Sequence, residues 1–208
     1  MAAPTRVLLV RHGQSTWNAQ GRWQGQADPP LTELGLAQAR AAVGAVGSVD
    51  MVVASDLMRA LQTGEILASA LGLGPVVVND RLRERHVGEW TGLTRVEIEA
   101  GWPGYLHDHR RPVGWEDSDV VAVRALTALM EIHEAWPGAD VVAISHSGVM
   151  RAVEQTLDHD HGMLPNLGAR EVIVQGRDLR LGNRHVLIDE EAVAASVERA
   201  SMAPSFEG

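Results

Sequence analysis

Four short apolar runs constrain this chain more than any other feature. Val7–Val10, Val52–Ala54, Val76–Val78 and Val141–Ile144 are rich in β-branched residues, and none alternates with polar ones. A strand with one wet face alternates, whereas a strand covered on both faces reads as a continuous apolar run, the signature of parallel sheets. The stretches between the runs carry helical spacing. Thr32 is placed to N-cap a helix reaching about Val46, with Leu34, Ala37 and Ala41 on one face, and Ser55 to N-cap a second carrying Leu57, Leu61 and Leu67. A third helix is expected from about Val120 to Ala135, and a fourth after Gly148. This alternation predicts an α/β fold, a three-layer sandwich whose mainly parallel sheet is flanked by helices.

From Arg170 the pattern changes. Glu171–Gln175 and Leu179–Ile188 flank Gly176–Arg177–Asp178, which predicts a hairpin at the end of the sheet. No repeat or linker-like break interrupts the 208 residues, so one domain spanning 1–208 is expected. Residues 88–114, with Trp90, Trp102 and Tyr105 among Gly and Pro, read as an insertion or lid, in which Trp90 and Trp102 are the candidates for substrate contact. Residues 199–208 read as a frayed tail.

Composition removes whole classes of chemistry. There is no Cys, hence no disulfide, thiolate metal site or cysteine nucleophile. There is no Lys either: all 18 basic residues are Arg, so any cationic grip on a substrate falls to Arg or His. A net charge of −9 argues against nucleic acid and against an anionic membrane surface as partners. No apolar stretch approaches the ~18 residues of a membrane span, and the one near the N-terminus is too short for a signal-peptide core, so a cytoplasmic protein is the simplest expectation.

Ligands of open α/β sheets bind outside the carboxyl ends of the strands. After the four runs come Arg11–His12–Gly13, Ser55–Asp56 with Arg59 one helical turn on, Arg81 to His86, and Ser145–His146–Ser147–Gly148. Two His, several Arg and Glu84 thus converge on one face. That set suits a phosphoryl group: Arg forks bind its oxygens, a neutral imidazole attacks phosphorus, and a carboxylic acid protonates the leaving oxygen. His107–Asp108–His109 and Asp158–His159–Asp160–His161 read as solvated loops rather than metal ligands, and neither a metal nor a cofactor is expected.

The stretch VRHGQSTWN (residues 10–18), followed by QGRWQGQADPPLTELGLAQA, resembles the opening of the histidine phosphatase superfamily, which includes the cofactor-dependent phosphoglycerate mutases. ASDLMRALQTGEIL, RLRERHVGEWTGL and VVAISHSGVMRAV resemble its later blocks, so the likeness runs from about Val7 to Asn166. The resemblance implies a phosphoglycerate mutase-like fold, with His12 as the nucleophile that becomes phosphohistidine. It further implies Arg11, Arg59 and His146 as the clamp on the transferred group, and Glu84 as general acid and then base. Asn18 matches a phosphate-binding amide, and Gln24 and Gly25 sit in the stretch lining the same pocket.

Two positions depart from the family pattern. Ser147 stands where many members have Gly, and its hydroxyl either reaches the phosphate or caps the next helix. Trp115–Glu116–Asp117–Ser118 replaces the usual Gly-Glu-Ser, with the glutamate retained at Glu116. The expected activity is metal-independent hydrolysis of a small phosphorylated metabolite. The third block also resembles that of bacterial glucosyl-3-phosphoglycerate phosphatases, and homodimer formation by edge pairing is compatible with such a fold. The alternatives are a phosphoglycerate mutase, echoed by Glu84–Arg85–His86 and Arg110–Arg111, and a non-catalytic phosphoprotein-binding module. The absence of Lys counts against the mutase, and the presence of the acid Glu84 counts against the binding module.

Overall fold

A computed structural model describes residues 3–158 and 162–202. The four unalternating runs become β1 (Thr5–Arg11), β2 (Met51–Ala54), β3 (Val77–Val78) and β4 (Asp140–Ser145), which lie parallel in the order β3-β2-β4-β1. The hairpin follows as β5 (Gly168–Gln175) and β6 (Asp178–Val186), joined antiparallel to the free edge of β1. The result is a six-stranded mixed sheet.

The absence of alternation has its cause in two cores. Val141 and Ala143 of β4 face α5 (Ser118–Ala135) and α6 (Ser147–Leu157), with Val121, Leu129, Ile132, Val149 and Val153 packed against them. Their neighbours Val142 and Ile144 face the opposite layer, formed with Ala42 of α2 (Glu33–Val46) and Leu67 of α3 (Met58–Ala70). Because both faces are dry, every residue of the run has to be apolar. Truncating Leu129 or Ile144, both wholly buried, to Ala would cost about 2–5 kcal/mol.

Helix α2 starts as expected, with Thr32 Oγ1 accepting the Gly35 N–H at 3.0 Å. Helix α3 does not: Leu57 occupies its N-cap position without a side-chain bond, and Ser55 lies two residues upstream. The closing helix α7 (Glu190–Met202) places Glu190 and Glu191 in its first turn and Arg199 in its last, complementing the helix dipole. Residues 199–202 are therefore helical rather than frayed; the remainder of that stretch lies outside the described residues.

Residues 88–114 are less of a detached lid than their composition suggests. They hold a single 3₁₀ turn (Gly88–Trp90) and α4 (Arg95–Gly101), which opens with a Thr94–Glu97 capping box. Trp90 is wholly buried, with the rings of Trp23, Trp115 and Trp102 at 5.4, 5.7 and 6.4 Å. The apolar centre so formed corrects the expectation that Trp90 and Trp102 meet substrate, because neither lines the cleft described below. His107 and His109 are exposed and Asp108 pairs with Arg110. The described residues contain no cluster of three or more metal-type side chains, and His159, Asp160 and His161 lie outside them. No described helix is long and apolar enough to cross a membrane.

Candidate active site

The carboxyl ends of β1, β2 and β4 open into a cleft of about 550 Å³. β1 delivers Arg11 and then His12, whose backbone N–H donates to Ser145 O at the end of β4 at 3.0 Å. The turn that follows needs Gly13, because a Cβ there would stand 2.6 Å from Gly35 O. The loop after β1 thus passes against the first turn of α2, while its Gly13 N–H donates to Thr63 Oγ1 of α3 at 3.1 Å.

His12 is almost wholly buried, and its tautomer follows from its bonds. Nδ1 lies 2.6 Å from Gly13 O, an acceptor, so Nδ1 carries the proton. Nε2 accepts from Arg59 Nε at 3.3 Å, so it is the unprotonated nitrogen, the one that carries the lone pair. Burial and the charges of Arg59 and Arg11 hold the imidazole well below its ordinary pKa, which keeps it neutral. Arg59 is fixed in turn by Gly25 O at 2.9 Å and Ala27 O at 2.8 Å, and burial pulls it down to about 10, so it is still a cation at neutral pH. Arg11 donates to Leu164 O at 2.7 Å, while its buried Nε has no partner.

His146 sits at zero exposure, its ring 5.1 Å from that of His12. Its Nε2 lies 3.0 Å from Ser55 Oγ and its Nδ1 is buried without a partner. Burial first, then the charge of Arg59, holds it neutral as well. Glu84 enters from the segment after β3. Its Oε1 accepts the Arg85 N–H at 2.7 Å and its Oε2 the Gly148 N–H at 3.2 Å, so the carboxylate leans on the first turn of α6. Glu89 and Glu97, its acidic neighbours in sequence, do not line the cleft.

Asn18 and Gln24 both line the cleft and are coupled through Ser15. Asn18 Oδ1 accepts the Ser15 N–H at 3.1 Å, and Gln24 Oε1 accepts the Ser15 hydroxyl at 2.7 Å. With both carbonyl ends engaged, the amide NH2 ends are the donors available to a ligand. Gly25 lines the same wall. Ser147 is the first residue of α6 and lines the cleft; the cap position belongs to His146, which corrects the capping alternative. Glu116 binds Arg124 and the His86 N–H, a structural duty away from the cleft.

Sequence reasoning missed the outer wall. Arg22, Arg85, Arg95, Arg111 and Arg151 join Arg11 and Arg59 in lining the cleft, together with Trp23 and Trp115. Glu84 is the only carboxylate among its described lining residues. The Arg85 and Arg111 guanidiniums lie over the Trp115 ring at 5.2 and 4.7 Å from its centroid. Arg85 follows the third run and Arg111 belongs to the Arg110–Arg111 pair noted for the mutase alternative, but nothing local in the sequence places Arg111 or Arg151 beside the site, which they reach from distant elements.

Residues 7–169 match the profile of the histidine phosphatase superfamily (branch 1). A glucosyl-3-phosphoglycerate phosphatase of Mycobacterium tuberculosis is 38% identical over 167 residues, 73% of this chain and 74% of its own. A metal-independent phosphoserine phosphatase of Arabidopsis thaliana is 37% identical over 159 residues, 72% of this chain and 67% of its own. A solved mycobacterial glucosyl-3-phosphoglycerate phosphatase in complex with VO3 superposes with a TM-score of 0.76 at 33% identity, covering 85% of this chain and 96% of that one.

Proposed function

Because the chain belongs to the histidine phosphatase superfamily, we propose that it is a metal-independent phosphomonoesterase working through a phosphohistidine on His12. The observation that carries the reading is the buried, neutral His12, whose unprotonated Nε2 meets Arg59 in a cleft bordered by Arg11 and Glu84. Nε2 attacks phosphorus in line as the bond to the leaving oxygen breaks. The negative charge on the equatorial oxygens falls among Arg11, Arg59 and His146, groups already fixed before substrate arrives. Glu84 gives its proton to the departing oxygen, then takes one from the water that cleaves the phosphohistidine. His12 is thereby returned to its starting state.

The outer wall supports a narrower substrate class. Arg85, Arg111 and Arg151 crowd one another: burial first, then the charges of Arg111 and Arg151, hold Arg85 below its ordinary range. Burial and Arg151 do the same to Arg111. Mutually repelling guanidiniums along a cleft are relieved by an anion. The substrate therefore carries a second negative group, most simply a carboxylate, beyond the transferred phosphoryl group. Glucosyl-3-phosphoglycerate and phosphoserine, which the relatives' names specify, both carry one. Such substrates are dissolved metabolites, which accords with a cytoplasmic location.

The test is phosphate release from a panel that pairs carboxylated and uncarboxylated alkyl phosphates of similar size. Carboxylated members are expected to turn over at least about tenfold more efficiently, the worth of one charge-assisted contact. Arg111→Ala should erase that preference through KM. Equal kcat/KM across the pairs would overturn the second-anion reading, and no release from any member would overturn the phosphatase reading itself.

A further inference from the structure

Ser55, at the end of β2, has no part in the steps above. It is wholly buried and, rather than capping α3, it faces the ring of His146 with Oγ 3.0 Å from Nε2. Its backbone N–H donates to Ile144 O at 2.9 Å, and its Oγ accepts the Leu57 N–H at 3.3 Å. Main chain and side chain are thus both held.

Proton counting then decides what this contact does. A serine hydroxyl has one proton and two acceptor lone pairs. One lone pair takes the Leu57 N–H, and the hydroxyl makes no other hydrogen bond among the described residues. Its proton has only His146 Nε2 to go to, since a buried O–H without an acceptor is strongly disfavoured. A neutral imidazole that accepts at one nitrogen carries its proton on the other.

We propose that Ser55 is a positioning residue that locks His146 in the Nδ1–H tautomer and so makes it a hydrogen-bond donor to the phosphoryl group bound beside His12. The inference rests on the phosphatase reading for what Nδ1–H is for, but not for which nitrogen holds the proton. Nδ1 is the nitrogen that is buried and unpartnered, and the centroids of the His146 and His12 rings are 5.1 Å apart. In the opposite tautomer Nε2–H would donate to Ser55, and a lone pair at Nδ1 would meet the phosphoryl oxygens and repel them. Burial and the nearby Arg charges keep the ring from taking a second proton. The two site histidines therefore hold the same tautomer for opposite purposes: His12 turns its proton away from the reaction and His146 turns its own toward it.

Long-range proton–nitrogen correlation spectra of the full chain, uniformly labelled with ¹⁵N, read the tautomer directly, with His146 assigned by the signals lost in His146→Gln. The expected pattern is a protonated Nδ1 and an unprotonated Nε2, with and without inorganic phosphate. Ser55→Ala should move the ring toward the Nε2–H form, raise the inhibition constant for inorganic phosphate roughly tenfold and lower kcat. Ser55→Thr, which keeps the hydroxyl, should restore the wild-type spectrum. A wild-type His146 that is Nε2–H or doubly protonated overturns the proposal without recourse to the Ser55 variants. So does a folded Ser55→Ala that leaves both spectrum and phosphate affinity unchanged. Failure to hydrolyse any phosphomonoester would remove the phosphatase reading yet leave the tautomer assignment readable.

Discussion

Gly148→Ala offers a way to displace the proposed acid without altering it. A Cβ at position 148 would stand 2.3 Å from Glu84 Oε1 and 3.1 Å from its Cδ. Non-bonded carbon–oxygen pairs settle near ~3.5 Å, so the carboxylate has to retreat by about 1 Å. It sits at the end of a flexible side chain, so the retreat is cheap. The bonds from Gly148 N–H to Oε2 and from Arg85 N–H to Oε1 are lost, costing about 1 kcal/mol each. Replacing Gly by Ala near the start of α6 returns up to about 1 kcal/mol. Stability should thus stay within about 1 kcal/mol of wild type. Catalysis should not, because a displacement of about 1 Å in a catalytic group costs on the order of 10²-fold, or about 2.7 kcal/mol in the barrier. That loss should fall on alkyl phosphates, whose leaving oxygen needs a proton, and largely spare an aryl phosphate such as p-nitrophenyl phosphate. Rapid-quench measurement of the first release of alcohol or phenol isolates the step, with Glu84→Gln as the reference. Equal losses for both substrate types, or none in a folded variant, would refute the role of Glu84 and the geometry together.

His12→Ala should abolish turnover while the protein stays folded, and acid-labile, base-stable label from phosphorylated substrate should appear on wild type only; activity above a few per cent would end the nucleophile assignment. Turnover should survive EDTA, since Arg11 and Arg59 supply the cationic charge; loss on chelation that added Mg²⁺ reverses would contradict this. The buried histidines also set the acid limb of stability. Both have depressed pKa values when folded, so the unfolded chain binds more protons below about pH 6.5. Their contribution is complete above that pH and is lost as pH falls, by up to about 1.4 kcal/mol per pH unit for each. His12→Asn should flatten the fall in Tm between pH 6.5 and 5, and an unchanged slope would show that His12 is not held neutral.

What was legible in the sequence was what local rules govern. Runs such as Val141–Ile144 announced strands because both faces of the sheet are dry. Thr32 announced α2 because its hydroxyl does satisfy the Gly35 N–H. Ser55 is the same kind of residue but does not cap α3: it lies two residues before the cap position, its Oγ accepts the Leu57 N–H there, and its hydroxyl faces His146, 91 residues away in sequence. Trp90 failed for a like reason: its neighbours in sequence look like a lid, while its neighbours in space are Trp23 and Trp115. The structure brings His12, His146, Arg59 and Glu84 together as the order of elements suggested: both histidines directly follow strands, Arg59 lies in the first turn of α3, and Glu84 follows β3 after a 3₁₀ turn. The outer wall was not legible, because Arg111 follows the loop after α4 and Arg151 rides on α6, and no spacing rule joins them.

The restriction of this chain to arginine has a consequence inside the cleft. The protein carries a net charge of −9, yet seven guanidiniums and one described carboxylate line the site. Gathering cations in a cavity depends on their remaining cations once buried, and burial works against charge. At Arg59 it pulls the guanidinium down to about 10, which leaves it charged throughout the physiological range. The same burial applied to a lysine, whose ordinary pKa is lower than that of arginine, would push it toward the physiological range and strip part of its charge. Arg59 must also hold Gly25 O, Ala27 O and His12 Nε2 at once from three nitrogens in one plane, which a single ammonium cannot do. Charge and geometry thus both disfavour lysine at this position, and the guanidinium proposed to clamp the phosphoryl group is the same rigid fork that holds His12 Nε2.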